Sequence, residues 1–229
     1  MIPLFEKIKK EGPKLSKLHA KYLNKIQAKS IAVAASPLVK VAKLIKTFTD
    51  SSDFNSSDLN HMHIVKASRG SGYCLDLSGA SGASGASGAS TVQKTLKAWK
   101  LRFAKEPVEF LIETKLDDAV YGLTGTAVDY KFFCFHGKPA YFLCRDGKNR
   151  NFYDLDYNPL KLESDAELDH IDLAPMIRIA EELSAPFQFV RIDLYNCKDG
   201  VYFGEYTFHC REGKQEFPME LELYFGSLW

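Results

Sequence analysis

The chain has 229 residues, of which 45% are hydrophobic and 26% are charged, and its formal net charge is +1. This composition excludes a fibrous or wholly disordered protein and is sufficient for one compact domain or two joined lobes. No segment approaches the roughly 18 apolar residues of a membrane-spanning helix, and the N-terminus lacks the apolar core of a secretory signal. We therefore expect a soluble protein.

The positions of the cysteines bear on the redox compartment, and those of the lysines bear on the kind of partner. Five cysteines are spread singly, with no C-x-x-C pair, which predicts a reducing, cytoplasmic compartment and no structural zinc. Residues 1–50 hold eleven lysines against three acidic residues. This asymmetry permits an anionic partner such as a phosphate, an acidic glycan, nucleic acid or a membrane face. The simpler interpretation is the solvated side of amphipathic helices.

The first part of the chain alternates helical patterns with one strand pair. Residues 3–29 predict one or two helices, and residues 37–48 predict another because apolar residues recur on one helical face. Polar residues 50–60 indicate a loop. Short strands at 63–66 and 73–77 then flank a glycine-containing turn, which predicts a β-hairpin.

Residues 78–90 form a three-residue repeat of Ser, Gly and Ala. No side chain in it is larger than a methyl or hydroxymethyl group. We interpret it as a designed flexible linker that replaces a mobile loop.

The second part of the chain mixes helices with antiparallel strands. A helix begins at Thr91 and ends before Pro107, a polar loop spans 145–170, and Lys198-Asp199-Gly200 predicts a hairpin turn. The other predicted elements are strands at 108–114, 127–135, 139–144, 187–195 and 201–208, and helices at 172–184 and 217–225. Because the order is not a strict βαβ alternation, the predicted fold class is α+β.

The strongest candidate site lies on the last predicted hairpin. Arg191 and Asp193 share one face of their strand, as do Glu205 and Thr207 on the next, and a turn centred on residue 199 places Asp193 opposite Glu205. Two neighbouring carboxylates beside an arginine suit Mg²⁺ that carries a polyphosphate. The alternative is an arginine–carboxylate lattice on a solvent-facing sheet.

Two weaker patterns involve the central strands. Lys66 ends an apolar strand before Gly70-Ser71-Gly72, where backbone N–H groups can approach a phosphate closely, although the same glycines suit an ordinary hairpin tip. The strand 110–116 turns polar at its end and offers Glu113 and backbone groups to an adenine, although many strands leave a core in this way.

Several strings together carry a family resemblance: IVKASRGSG, EFLIET, VDYKFFCFHGKPAYF and FQFVRIDLYNCKDGVYFGEYTF. Over most of residues 18–226 outside the repeat, the chain resembles the TupA-like branch of the ATP-grasp family. The resemblance implies an ATP-grasp fold, in which two α+β lobes with antiparallel sheets clamp ATP. It divides the chain into a helical segment at 1–60, a glycine-loop lobe at 61–106 and a C-terminal lobe with hinge and metal site at 107–229.

The resemblance also implies roles for individual residues. Lys25, Lys66 and the glycine turn Gly70, Ser71 and Gly72 would contact the phosphates of ATP. Adenine would lie against the hinge residues Glu113, Thr114, Lys115 and Leu116. Mg²⁺ would be held by Asp193, Glu205 and Thr207, while Arg191 and Lys131 would act on the transferring phosphoryl group. The chain departs from the family pattern at Thr207, where many relatives have Asn, and at Arg69 and Ala20.

The implied activity is that of an ATP-dependent carboxylate–amine ligase that works through an acyl phosphate. The family context suggests a uronic acid or other carboxylate of a capsular, teichuronic acid or O-antigen glycan, joined to an amino acid or amine. Nucleic acid is not expected as a partner, and the implied location is the cytoplasm, with peripheral association with membrane-linked glycan at the inner face. Two alternatives remain: phosphoryl transfer to a glycan hydroxyl, and a non-catalytic module that binds an acidic polymer.

Overall fold

The computed structural model describes residues 1–78, 85–103, 107–119, 127–146, 149–163 and 171–229. They form an α+β structure with two antiparallel sheets, which confirms the predicted fold class. The helices are α1 (Leu4–Leu18), α2 (Ala20–Leu23), α3 (Lys25–Ala35), α4 (Gly85–Arg102), α5 (Ala174–Ser184) and α6 (Met219–Ser227). The strands are β1 (Leu44–Phe48), β2 (His63–Ala67), β3 (Cys74–Asp76), β4 (Phe110–Thr114), β5 (Asp129–Phe135), β6 (Lys138–Asp146), β7 (Asn149–Asp154), β8 (Pro159–Leu162), β9 (Phe189–Cys197) and β10 (Gly200–Thr207).

The chain divides into two compact units. The large unit comprises Met1–Leu23, Gln27–Val41 and Asp117–Trp229, and the small unit comprises Asn24–Ile26 and Ala42–Leu116. None of the described helices is long and apolar enough to cross a membrane.

The large unit is built on a six-stranded sheet in the order β10-β9-β5-β6-β7-β8. Side chains alternate between its two faces. On one face Phe132 and Ile192 pack against Met176 and other residues of α5. On the opposite face Phe133 and Phe189 belong to a second apolar cluster with residues of α1 and α6. Both faces are therefore largely covered, so charged side chains on them need partners.

The small unit is a four-stranded sheet in the order β1-β4-β2-β3. Its buried cluster includes Val65 and Ile112 from the central strands and Val92 and Leu96 from α4. Val92 and Leu96 are four residues apart, so they lie on the same side of the helix. The hairpin predicted around the glycine turn is present, with Lys66 of β2 opposite Cys74 of β3.

The predicted helix at 37–48 is wrong. Leu44–Phe48 is strand β1, whose backbone pairs with β4, with Phe48 opposite Phe110. Leu38, Leu44 and Ile45, which the helical pattern would bury, are 42–45% exposed. The backbone hydrogen bonds offered by a strand distant in sequence have overridden a local helical periodicity.

Two further expectations differ from the structure. The segment 145–170, predicted to be a polar loop, contains strands β7 and β8, which extend the large sheet beyond β6; residues 147–148 and 164–170 lie outside the described part. The flexible-linker interpretation does not hold for residues 85–90, which form the first turns of α4. Alanine favours a helix, and the following helical sequence provides a surface on which it can extend. Residues 79–84 of the repeat lie outside the description.

Candidate active site

A β-bulge at Gly204 assembles the candidate site. Phe203 pairs with Leu194 and Glu205 pairs with Asp193, so Gly204 is an extra residue in β10. Phe203 lies before the bulge and Tyr206 lies after it, three residues further on. Both side chains belong to the apolar cluster beneath α5. A bulge shifts the alternation of a strand by one residue. Glu205 therefore turns to the face that carries Asp193, and the predicted opposition of the two carboxylates is confirmed.

Glycine is required at the bulge by close packing. A Cβ atom added at Gly204 would lie 2.9 Å from the ring of Tyr195 and 3.0 Å from the carbonyl oxygen of Asp193. Both distances are shorter than ordinary carbon contacts. The glycine thus lets β10 approach the strand that carries Arg191 and Asp193.

Five charged side chains form a row of alternating sign on this face, in the order Asp129, Lys131, Asp193, Arg191, Glu205. Lys131 Nζ lies 3.0 Å from Asp129 Oδ2 and donates to Asp193 Oδ2 at 2.5 Å. Arg191 donates from Nε to Asp193 Oδ1 at 2.6 Å and from an NH2 group to Asp193 Oδ2 at 2.8 Å. The same guanidinium donates to Glu205 Oε1 at 3.1 Å. We call these five residues the charge row.

Burial makes the charge row interdependent. Asp193 is 1% exposed and Lys131 is 8% exposed. Burial alone would raise the pKa of Asp193, but Arg191 and Lys131 hold it below its ordinary value. Burial alone would lower the pKa of Lys131, but Asp193 and Asp129 hold it above its ordinary value. Each buried charge is therefore kept ionised by its neighbours.

Two features of this site are absent from the sequence-based prediction. Asp129 lies two residues before Lys131, and alternation alone places both on one face. Gly204 lies inside a strand pattern, which is a signal for a β-bulge. Thr207, a predicted metal ligand, lies beside Glu205, and its hydroxyl donates to Glu205 Oε1 at 3.4 Å.

The small unit contains the predicted lysines and the glycine turn. Lys25 Nζ donates to the carbonyl oxygen of Gly70 at 2.7 Å. Gly70 and Gly72 have φ angles of +79° and +81°, which favour glycine, and a Cβ atom at Gly70 would lie 2.9 Å from the ring of Tyr73. Lys25 and the glycine turn are therefore neighbours. Ser71 lies at the exposed tip of this turn.

An ion pair links Lys66 to the predicted adenine-binding segment. Lys66 Nζ forms an ion pair with Glu113 Oε1, and Glu113 is 2% exposed. Lys115 donates its backbone N–H to the carbonyl oxygen of Met62 at 2.7 Å. Thr114 bonds through its backbone N–H to Lys43. Since these N–H groups are already bonded, adenine would have to be recognised by other atoms of the segment, such as those of Leu116.

Comparison with protein families decides the classification. The model of the TupA-like ATP-grasp family matches residues 107–229, more than half of the chain. The chain belongs to the TupA-like ATP-grasp family. No curated protein matches it in sequence.

Solved structures support the ATP-grasp fold. D-alanyl-alanine synthetase A from Vibrio cholerae is similar with a TM-score of 0.53 and 15% identity, over 89% of this chain and 61% of that one. A D-alanine–D-alanine ligase from Bacillus anthracis complexed with ATP gives a TM-score of 0.52 and 14% identity, over 90% of this chain and 62% of that one. D-cycloserine synthetase DcsG gives a TM-score of 0.53 and 12% identity, over 93% of this chain and 70% of that one. The chain spans about three fifths of the first two structures, and at these identities the likeness shows the fold.

The ATP-grasp fold implies Mg²⁺, and the oxygen donors of the charge row fit this ion in type. Asp193 and Glu205 provide carboxylates, and Thr207 provides a hydroxyl that retains acceptor capacity. Among the described residues, no group of three or more His, Cys, Asp or Glu side chains is arranged to hold a metal ion. Mg²⁺ is commonly bound by one or two carboxylates together with phosphate oxygens. The pair Asp193 and Glu205 therefore suits a metal ion that arrives with a polyphosphate.

A small cavity adjoins the charge row at Arg191. Its volume is about 40 Å³. Its lining is mixed and includes the aromatic residues Phe133 and Phe152, the basic residues Arg150, Arg191, Arg211 and Lys214, and the acidic residues Glu216 and Glu222. Arg211 begins a turn of three successive residues with positive φ angles of 45°, 58° and 68°. Such strain is held in place by surrounding structure and often accompanies a function.

Proposed function

We propose that this chain is an ATP-dependent carboxylate–amine ligase that works through an acyl phosphate. The observation that carries the proposal is the charge row, in which Arg191, Asp193 and Glu205 converge on one sheet face of an ATP-grasp chain. The alternative, a lattice of salt bridges on the protein surface, does not explain a buried carboxylate, because burying a charge costs free energy unless its partners are fixed. Asp193 is buried, at 1% exposure.

The proposed roles follow from charge and position. Asp193, Glu205 and Thr207 hold Mg²⁺, which when bound would neutralise the β- and γ-phosphate oxygens of ATP. Arg191 and Lys131 stabilise negative charge on the transferring phosphoryl group. In the small unit, Lys25, Lys66 and the turn Gly70-Ser71-Gly72 bind phosphate oxygens. The segment Glu113–Leu116 contacts adenine.

The reaction needs no side-chain nucleophile. An oxygen of the substrate carboxylate attacks the γ-phosphorus, the bond from that phosphorus to the β,γ-bridging oxygen breaks, and ADP leaves. An amine nitrogen then attacks the acyl carbon, inorganic phosphate leaves with the acyl oxygen, and the amine proton passes to solvent. The chain contributes orientation and charge stabilisation.

We propose a carboxylate-bearing sugar of a cell-surface polysaccharide as the acceptor, such as a uronic acid of a capsule, teichuronic acid or O-antigen glycan. The family context is the support for this acceptor class. The cavity beside Arg191 does not add to it, because Glu216 lines the cavity and forms ion pairs with Arg150 and Arg211. The amine would be an amino acid or another amine. The proposed location is cytoplasmic, at the inner face of the membrane where such glycans are built.

A nucleotide titration tests the site. We expect ATP to bind in the presence of Mg²⁺ and at least tenfold more weakly without it, measured by calorimetry, a ratio that corresponds to about 1.4 kcal/mol. The double variant Asp193→Asn with Glu205→Gln should lose the Mg²⁺ dependence, whereas Glu220→Gln, an exposed acid in α6, should not. Absence of nucleotide binding by the folded chain would overturn the proposal.

Product analysis separates ligation from phosphoryl transfer to a hydroxyl. A ligase releases ADP and phosphate only when both a uronic acid and an amine are supplied. A phosphotransferase needs no amine and retains the phosphoryl group on the sugar. Hydroxylamine, which traps acyl phosphates as hydroxamates, is the probe amine.

A second candidate function, binding of an acidic polymer, is favoured by α1, where Lys9, Lys10, Lys14 and Lys17 are exposed. This function predicts polymer binding that weakens steeply with salt and ignores Mg·ATP. Replacing the four lysines by glutamine should then abolish polymer binding without changing the affinity for nucleotide.

A further inference from the structure

The carboxylate of Asp193 is already occupied in the structure. Oδ1 accepts from Arg191 Nε, and Oδ2 accepts from both Arg191 and Lys131. A carboxylate has about four lone-pair directions, so both at Oδ2 are filled and one at Oδ1 stays open. A metal ion at Oδ1 experiences the repulsion of both cations, and a metal ion that takes Oδ2 must displace one of them.

Lys131 is the cation that must find another acceptor when a metal ion takes Oδ2 of Asp193. Arg191 already shares its guanidinium with Glu205 at 3.1 Å. Lys131 is 8% exposed, so its ammonium group cannot reach water without rearrangement. Removing an ammonium group from its counter-charge inside a protein is costly. A second carboxylate close to Nζ would remove that cost.

Asp129 is that second carboxylate. Its Oδ2 lies 3.0 Å from Lys131 Nζ. The side chain faces Tyr195 across the β5–β9 pair. Burial raises the pKa of Tyr195, and the charge of Asp129 and a hydrogen bond with it raise that pKa further. Asp129 therefore already pairs with the Lys131 ammonium group in the metal-free arrangement.

We propose that Asp129 is a positioning residue that receives the Lys131 ammonium group when Asp193 is given to Mg²⁺. The inference rests on the proposed function, since it assumes that Asp193 binds the metal ion. In the metal-free arrangement Lys131 bridges Asp129 and Asp193. With the metal ion bound, Lys131 keeps its ion pair with Asp129 and stays in the site. Asp129 acts through Lys131 and does not touch the metal ion.

The test measures the Mg²⁺ concentration that half-saturates binding of a non-hydrolysable ATP analogue. In Asp129→Asn, Lys131 has Asp193 as its only carboxylate, so it competes more strongly with the metal ion. We expect the half-saturating Mg²⁺ concentration to rise about tenfold, a typical coupling between residues in contact. Affinity for the analogue at saturating Mg²⁺ should return to the wild-type value. Asp129→Glu, which keeps the charge, should recover most of the shift.

A double-mutant cycle separates this role from direct metal binding. In a Lys131→Met background there is no ammonium group to receive, so Asp129→Asn should change the half-saturating Mg²⁺ concentration by less than about twofold. An equal shift in both backgrounds would mean that Asp129 contacts the metal ion, and no shift in either would remove its role. Either outcome overturns this inference alone. Failure of the wild-type chain to bind the analogue with Mg²⁺ would instead overturn the proposed function and the inference with it.

Discussion

The two lysines Lys66 and Lys131 are both assigned to phosphates by family resemblance, but they lie in different settings. The side chain of Lys66 in the small unit is 23% exposed, and it forms an ion pair with Glu113. The side chain of Lys131 in the large unit is 9% exposed, and it lies between Asp129 and Asp193. Lys66 is therefore closer to solvent than Lys131. Lys131 is part of a network, so changing any neighbour affects the others.

The largest expected effect comes from removing the centre of the charge row. Asp193→Asn leaves the nearly buried cations Lys131 and Arg191 without their main counter-charge, and we expect it to lower the free energy of unfolding by about 3–5 kcal/mol. The side chain of Glu205 is 30% exposed, so Glu205→Gln should cost about 1 kcal/mol or less. Urea denaturation measures both. Equal costs would show that the row is not organised around Asp193.

The difference in unfolding free energy between wild type and Asp193→Asn depends on pH in a defined direction. The folded-state pKa of Asp193 is lowered by Arg191 and Lys131 against the effect of burial. Its contribution is therefore fully present above the ordinary pKa of about 3.9 and is lost as the pH falls through the lower, folded value. Stability of wild type and Asp193→Asn should converge in acid.

The next largest effect concerns the bulge. Gly204→Ala places a Cβ atom 2.9 Å from the Tyr195 ring, and we expect a loss of about 1–3 kcal/mol together with weaker Mg²⁺-dependent nucleotide binding, because Glu205 would be displaced. Gly72→Ala is the matched control for stability alone, because Gly72 belongs to the proposed phosphate-binding turn. It meets no atom within 4 Å but has a φ angle of +81°, so it should cost only about 1 kcal/mol of backbone strain. Wild-type Mg²⁺ dependence in Gly204→Ala would contradict the role of the bulge.

The smallest effect separates the two partners of the small-unit ion pair. Lys66→Met removes the cation beside Glu113, which is 2% exposed, whereas Glu113→Gln leaves a lysine that can extend toward water. We expect the first variant to be less stable than the second by about 1 kcal/mol. Thermal unfolding at matched pH provides the measurement, and the reverse ranking would show that Lys66 is the more constrained partner.

Part of the charge row was predictable because it depends on local rules. Alternation along β9 places Arg191 and Asp193 on one face. The hairpin pairs Cys197 with Gly200, so counting from the turn alone would put Gly204 opposite Asp193. The bulge at Gly204 brings Glu205 opposite Asp193 instead, and the turn residues do not predict it. The position of Lys131 beside Asp193 did not follow either. It depends on pairing between β5 and β9, which are more than 50 residues apart.

Local patterns suffice to predict the α+β class, the glycine turn at 70–72 and the final hairpin, because each depends on neighbouring residues or a tight turn. Pairing between distant segments, which local patterns do not contain, makes 44–48 a strand, extends the large sheet by 149–154 and 159–162, and joins Asp129 to Lys131 and Asp193. Strand partners and burial are set by contacts between distant segments. The same short sequence can therefore satisfy a helical pattern and still be more stable as a strand.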